Sequence, residues 1–173
     1  MAREYAHLLD QVVILNAPHE RAMPTHLIKH LTQLVRSSYG VFFQLRGLPE
    51  KLISLSNWKV GITMLESSSL THAFSEEDLK LYRQAWSKPN AMKAMINWYR
   101  ANMKSMTRPD LPAKVALPTL LIWGAQDQFL GKELAGKSSQ FIEEGRLVFL
   151  ENGTHWVHLE EADKVNALIA KFI

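Results

Sequence analysis

Val12-Val13-Ile14-Leu15 is a run of four apolar residues, three of them β-branched, closed by Asn16-Ala17-Pro18. A segment apolar at every position suits a strand covered on both faces, the situation inside a parallel sheet. Two more segments repeat the pattern. Leu120-Leu121-Ile122-Trp123, within Val115 to Trp123, ends at Gly124, and Leu147-Val148-Phe149-Leu150 ends at Asn152-Gly153. Between these two, Ser138 to Glu144 reads as a helix. Residues 2–9 read as the end of another. A last amphipathic helix is expected from about Val157 to Ile173, with Val165, Leu168, Ile169 and Phe172 on one face. Strands alternating with helices predict an α/β fold whose parallel strands, near residues 11–15, 119–123 and 147–150, are adjacent and in sequential order.

The stretch from His19 to Pro109 has helical periodicity and no strand pattern. Leu27, Ile28, Leu31, Leu34 and Val35 form an apolar stripe. Ser75-Glu76-Glu77-Asp78 is a capping-box start, with Phe74 and Leu79 spaced as a hydrophobic staple. Asn90 to Lys104 reads as a further helix, and Pro109 and Pro112 close the region. The expected organisation is a core made of residues 1–19 and 110–173, interrupted by an all-helical lid at 20–109.

Composition narrows the chemistry. The 173 residues include no cysteine, which excludes disulfides, thiolate metal sites and cysteine nucleophiles, and fits a cytoplasmic protein. No apolar signal core follows Met1, and the longest apolar runs are far too short to cross a bilayer. The 20 basic and 17 acidic residues are scattered without blocks of one sign, so neither a nucleic-acid partner nor a membrane segment is expected.

Two strand-end loops carry the candidate chemistry. Asp127 follows the second strand in Trp123-Gly124-Ala125-Gln126-Asp127, and His155 follows the third in Asn152-Gly153-Thr154-His155-Trp156. Loops at the carboxyl ends of parallel strands form the ligand crevice of such sheets. A carboxylate there can orient an imidazole and stabilise its protonated form. Taken singly, Asp127 is also an ordinary turn residue and His155 an ordinary helix-start residue. The pairing of both loops favours the relay. His26 and His30 have the i, i+4 spacing of metal ligands but no third ligand nearby, so a solvated helix face is expected. His158 is expected to pack near the site, and His19 to line the base of the lid.

Gly124-Ala125-Gln126-Asp127 after one strand and Gly153-Thr154-His155-Trp156-Val157 after the next resemble the tail of α/β-hydrolases, with the acid preceding the histidine as in that fold. The insertion narrows the likeness. Tyr39-Gly40-Val41-Phe42-Phe43-Gln44 followed by Gly47-Leu48-Pro49-Glu50, then Ile96-Asn97-Trp98-Tyr99-Arg100, resemble the two cap motifs of epoxide hydrolases. Leu15-Asn16-Ala17-Pro18-His19 resembles the strand leading into their cap. The resemblance runs from near residue 1 to Ile173. It implies a partial α/β-hydrolase fold, three parallel strands with helices plus a helical cap. It also implies a hydrolase adding water to a small apolar epoxide to give a diol, without cofactor. In that chemistry an aspartate opens the epoxide and forms an ester. By motif, Tyr39 and Tyr99 donate hydrogen bonds to the epoxide oxygen, His155 activates the water that hydrolyses the ester, and Asp127 holds His155. A phenol suits such a role, being neutral at pH 7 yet able to donate to a developing alkoxide.

The sequence departs from that family in one respect. It contains no G-x-S-x-G or G-x-D-x-G nucleophile elbow and no His-Gly-x-Pro motif. The chain is therefore expected to begin just after the elbow, to need the missing N-terminal half as its partner, and to be inactive alone. Val12 to Leu15 is expected to present an open, aggregation-prone edge. The alternatives are a dehalogenase or esterase of the same fold, or a non-catalytic binding protein derived from half a hydrolase whose free strand edge pairs with a partner.

Overall fold

The computed structural model describes residues 2–24, 31–104 and 112–173. Strands β1 (Val12–Leu15), β2 (Thr119–Gly124) and β3 (Gly145–Leu150) lie side by side in the order β1-β2-β3. Both pairings are parallel. Val12 sits opposite Thr119 and Leu15 opposite Ile122, while Thr119 to Gly124 run opposite Gly145 to Leu150. Every residue of β2 is buried, as the middle strand of a sheet covered on both faces requires. Its side chains alternate. Leu121 and Trp123 pack with Leu130, Leu134 and Ala135 on one face, and Leu120 and Ile122 pack with Leu150, Val157 and Val165 on the other. The adjacency, parallel pairing and sequential order match the expectation drawn from the three apolar runs.

The described residues divide into two compact units. Residues up to Arg36 join those from 112 onward in a sheet unit, and residues 37–104 form a helical unit. The sheet unit contains α1 (Leu31–Arg36), α7 (Lys132–Ser139), α8 (Val157–Glu160) and α9 (Ala162–Phe172). The helical unit contains α2 (Ser38–Phe42), α3 (Leu48–Ile53), α4 (Leu55–Ser67), α5 (Glu76–Trp86) and α6 (Ala91–Lys104). Its core is Ile53, Ile62, Leu65, Leu79, Trp86, Met92 and Ile96. Helix α5 starts with the expected capping box. The Ser75 hydroxyl accepts from the Asp78 amide, and the Asp78 carboxylate accepts from the Ser75 amide. Helix α4 opens irregularly, with Ser56, Asn57 and Trp58 all left-handed. The Trp58 indole donates to the Ser87 hydroxyl at 2.7 Å.

Four local expectations need correction. Residues 2–9 hold only a single 3-10 turn, Ala6–Leu8, and Arg3 is engaged by the Pro112 carbonyl and the Glu20 carboxylate. The helix expected at Ser138 to Glu144 lies earlier, at Lys132–Ser139. The residues after it are drawn into a parallel bridge, where Val115 N donates to Phe141 O at 2.8 Å and Glu143 N to Val115 O at 3.0 Å. The last helix is two, broken at Glu161. In the apolar stripe read from Leu27 to Val35, Leu34 and Val35 are exposed, and α1 instead buries Gln33, whose amide has partners in the loop after β2. Leu27 and Ile28, like His26 and His30, lie outside the described residues. Among the described residues no helix is long and apolar enough to cross a membrane, and no cluster of three or more His, Asp or Glu could hold a metal.

Candidate active site

Two loops at the carboxyl ends of β2 and β3 are stitched together by backbone hydrogen bonds. Ala125 N donates to Leu150 O and Gln126 N to Gly153 O, both at 2.9 Å. Gly124 makes this closeness possible. A Cβ there would stand 2.0 Å from Thr154 O and 2.6 Å from Gly153 O, both fixed backbone atoms. The two loops therefore leave the sheet in contact, and each carries one polar side chain to the same point.

Asp127 and His155 meet there, with His155 Nδ1 2.8 Å from Asp127 Oδ2. Asp127 is held on every side. Its Oδ1 accepts from Phe129 N at 2.8 Å and Leu130 N at 3.0 Å, and its Oδ2 accepts from Asn16 Nδ2 at 2.6 Å. All three of those partners can only donate, so the carboxylate acts as an acceptor at both oxygens. The bond to the imidazole then runs from Nδ1–H to Oδ2, which leaves the Nε2 lone pair free. The carboxylate side chain is 1% exposed and the imidazole 31%, so the acid is sealed while the ring reaches outward. Phe129 and Trp156 flank the ring edge-on, with centroids 5.3 and 5.6 Å away.

The loop carrying His155 has its own clamp. Glu160, at the end of α8, accepts from Thr154 N at 2.6 Å through Oε2 and from the Thr154 hydroxyl at 2.7 Å through Oε1. Gln33 braces the acid's loop, donating to Phe129 O at 2.7 Å and accepting from Gly131 N at 3.1 Å. His158 lies beside Trp156, and local desolvation together with the neighbouring His155 lowers its pKa. His19 stacks almost parallel on Phe141 at 4.5 Å, its Nδ1 accepts from Arg21 N, and its Nε2 is buried without a partner. Desolvation, then the positive charge of Arg3, lowers the His19 pKa.

In the helical unit the structure brings Tyr39 of α2 and Tyr99 of α6 together. Their rings meet edge-on at 5.9 Å, and both pack against Phe43, at 5.7 and 5.0 Å. Burial raises the Tyr99 pKa, keeping its phenol protonated over an even wider pH range. Arg100, next to Tyr99, ties the two segments together. Its guanidinium donates to Phe43 O, Leu45 O and Glu50 Oε1, each at 2.7 Å, and to Asn97 Oδ1 at 2.9 Å. This pair, chiefly through the hydrogen bond from Arg100, lowers the Glu50 pKa.

Sequence reasoning named Asp127, His155, Tyr39 and Tyr99 but assigned no role to Asn16, Glu50, Arg100 or Glu160. Asn16 carried one usable signal, an asparagine directly after an apolar strand, and it does adopt a left-handed backbone with φ 43. The long-range partners of Glu50 and Arg100 leave no periodic trace in the chain, and Glu160 meets Thr154, six residues before it, across a turn.

No family model matches the chain. Among curated proteins it is 32% identical over 165 residues to AB hydrolase superfamily protein YfhM of Bacillus subtilis, covering 95% of this chain and 57% of that one. It is 33% identical over 178 residues to epoxide hydrolase 4 of Mus musculus, covering 98% of this chain and 48% of that one. The crystal structure of the Bacillus megaterium epoxide hydrolase in complex with an inhibitor matches 99% of this chain and 63% of its own, with a TM-score of 0.82 at 18% identity, a likeness of fold. A structure from work on epoxide hydrolases in metagenomes of hot environments matches 94% of this chain and 58% of its own, with a TM-score of 0.75 at 26% identity. The chain spans about half the length of the curated relatives it matches. In sequence it is similar to an AB hydrolase superfamily protein and to epoxide hydrolases, and in fold to solved α/β-hydrolases named epoxide hydrolases, with a helical unit and three parallel strands matching part of each.

Proposed function

We propose that this chain supplies the water-activating relay and the two acidic phenols of a hydrolase that converts a small apolar epoxide to a vicinal diol. The observation that carries the reading is the 2.8 Å contact from His155 Nδ1 to a carboxylate whose other acceptor positions are taken by donors. In the proposed reaction a carboxylate, which this sequence does not supply in a nucleophile elbow, opens the epoxide by attack at a ring carbon and becomes an ester. Tyr39 and Tyr99 donate to the ring oxygen as it takes on alkoxide charge, lowering the barrier to C–O cleavage. His155 Nε2 then takes a proton from water as the water oxygen attacks the ester carbonyl, the imidazolium returns that proton to the departing diol oxygen, and the carboxylic acid so formed loses its proton to replace the one a tyrosine passed to the opened ring oxygen, regenerating the carboxylate. Asp127 stabilises the imidazolium formed in that step. Residues 20–109 act as the cap, 1–19 and 110–173 as core, and the cytoplasm is the proposed compartment.

The names of the relatives support the substrate class, and the tyrosine pair supports it against a dehalogenase or esterase, whose leaving groups do not need two phenol donors on one oxygen. The test mixes the chain with a separately produced polypeptide carrying a His-Gly-x-Pro and a G-x-D-x-G segment, and follows diol formation from a chromogenic epoxide. The chain alone gives no turnover, because the roles of such groups are strongly non-additive. The mixture turns over, and Tyr39→Phe with Tyr99→Phe removes the activity. Turnover by the chain alone, abolished by His155→Ala, would overturn the need for a second segment. Turnover in the mixture that is indifferent to both tyrosines would overturn the epoxide reading.

A further inference from the structure

We infer that Asn16 is a positioning residue, whose side-chain amide fixes both members of the Asp127–His155 pair from the end of the neighbouring strand. The inference rests on reading that pair as the relay. Asn16 stands at the carboxyl end of β1, is 5% exposed, and contacts both of the other strand ends. Its Oδ1 accepts from Gly124 N at 3.0 Å. A backbone amide can only donate, so this contact assigns the oxygen and leaves Nδ2 facing the acid. From there Nδ2 donates to Asp127 Oδ2 at 2.6 Å and to the carbonyl of Thr154, the residue preceding His155, at 3.3 Å.

One planar group thus spends its acceptor and both its donors on the ends of β2 and β3. Its left-handed backbone, with φ 43, is a conformation that asparagine and aspartate tolerate better than other side-chain-bearing residues. The chemical consequence is specific. Oδ2 accepts from Asn16 and from His155 together, so Asn16 sets the direction of the remaining lone pair and moderates the negative charge that the imidazole feels. A packing residue of the same shape would do neither.

The test is by nuclear magnetic resonance of the histidine and asparagine side chains in the full chain. In the unaltered protein the Asn16 side-chain amide resonances shift with the titration of His155, because both groups donate to one oxygen. Asn16→Asp keeps the shape, the left-handed tolerance and the acceptor to Gly124, but replaces the donor by a group that donates only when protonated. Among the described residues, the charged groups near His155 include Asp127, His158 on α8 and, behind Thr154, Glu160. None of these changes in Asn16→Asp. When ionised, the new carboxyl raises the proton affinity of His155 by about tenfold or more. As pH falls and it takes up a proton, the wild-type hydrogen bond returns, so the titration of His155 acquires a second inflection. Asn16 amide resonances that stay constant through the His155 titration would overturn the inference, and that measurement needs no variant to fold. A His155 titration in Asn16→Asp superimposable on wild type would overturn it too. If instead Asp127→Asn leaves the tautomer and titration of His155 unchanged, the relay reading itself falls, which separates the two failures.

Discussion

Gly124→Ala is the sharpest perturbation of the sheet edge. The methyl group would arrive 2.0 Å from Thr154 O and 2.6 Å from Gly153 O. A contact of that length cannot be accommodated, and the atoms it meets are backbone, so relief requires moving the loop that bears His155. Overpacking against movable side chains costs about 1–3 kcal/mol, and a collision with fixed backbone belongs at or above the top of that range. The shift also pulls on the hydrogen bond from Gly124 N to Asn16 and on the 2.8 Å contact between Asp127 and His155. A loss of about 3 kcal/mol corresponds to amide exchange from β2 more than a hundred times faster, since about 1.4 kcal/mol is a factor of ten. Hydrogen exchange read by mass spectrometry measures this directly. Gly136→Ala is the matched control. Gly136 lies inside α7 with nothing within 4 Å of its Cβ position, so alanine there stabilises by up to about 1 kcal/mol. A Gly124→Ala protein with wild-type exchange in β2 would refute the close-approach argument.

Three further outcomes follow from individual residues. His19 has a folded pKa below its ordinary value, so the unfolded chain binds the proton more readily. Its contribution to stability is complete above the unfolded pKa and falls as pH drops below about 6.5; the thermal midpoint of the chain declines between pH 7.5 and 5.5, and less steeply in His19→Phe, whereas equal slopes would count against the buried Nε2. Arg100→Ala strips four hydrogen bonds and leaves Glu50, only 17% exposed, without its cation; urea denaturation should register a loss of roughly 3 kcal/mol, with little recovery in Arg100→Lys because an ammonium cannot reproduce the fork. Glu160→Ala releases Thr154 N and its hydroxyl together, at a cost of about 1–3 kcal/mol; amide exchange speeds up in residues 152–156 and not in β1.

The parallel sheet was legible because β2 is buried at every position, and a strand in that setting must be apolar without alternation. Asp127 and His155 were legible because strand ends in such a sheet converge at one edge, so two loops distant in sequence predict one site. The tyrosine pair was found by likeness of motif, and nothing in the periodicity of α2 or α6 would have joined them. What escaped detection was set by tertiary partners. The segment after Ser139 was pulled out of helix by pairing with Val115, and the apolar stripe of α1 lost to a buried Gln33 with two backbone partners. Asn16 was read only as part of the segment closing the first strand, and its three contacts lie more than a hundred positions away.

The most direct test of the central claim is the intact mass of the nucleophile-bearing polypeptide after exposure to epoxide, in complex with this chain. If His155 activates the water that releases the ester, His155→Ala allows ring opening but blocks the next step. That polypeptide should then gain the mass of one epoxide and hold it, while the complex with the unaltered chain turns over and shows no lasting adduct. Diol formation that continues in His155→Ala with no adduct would contradict the account.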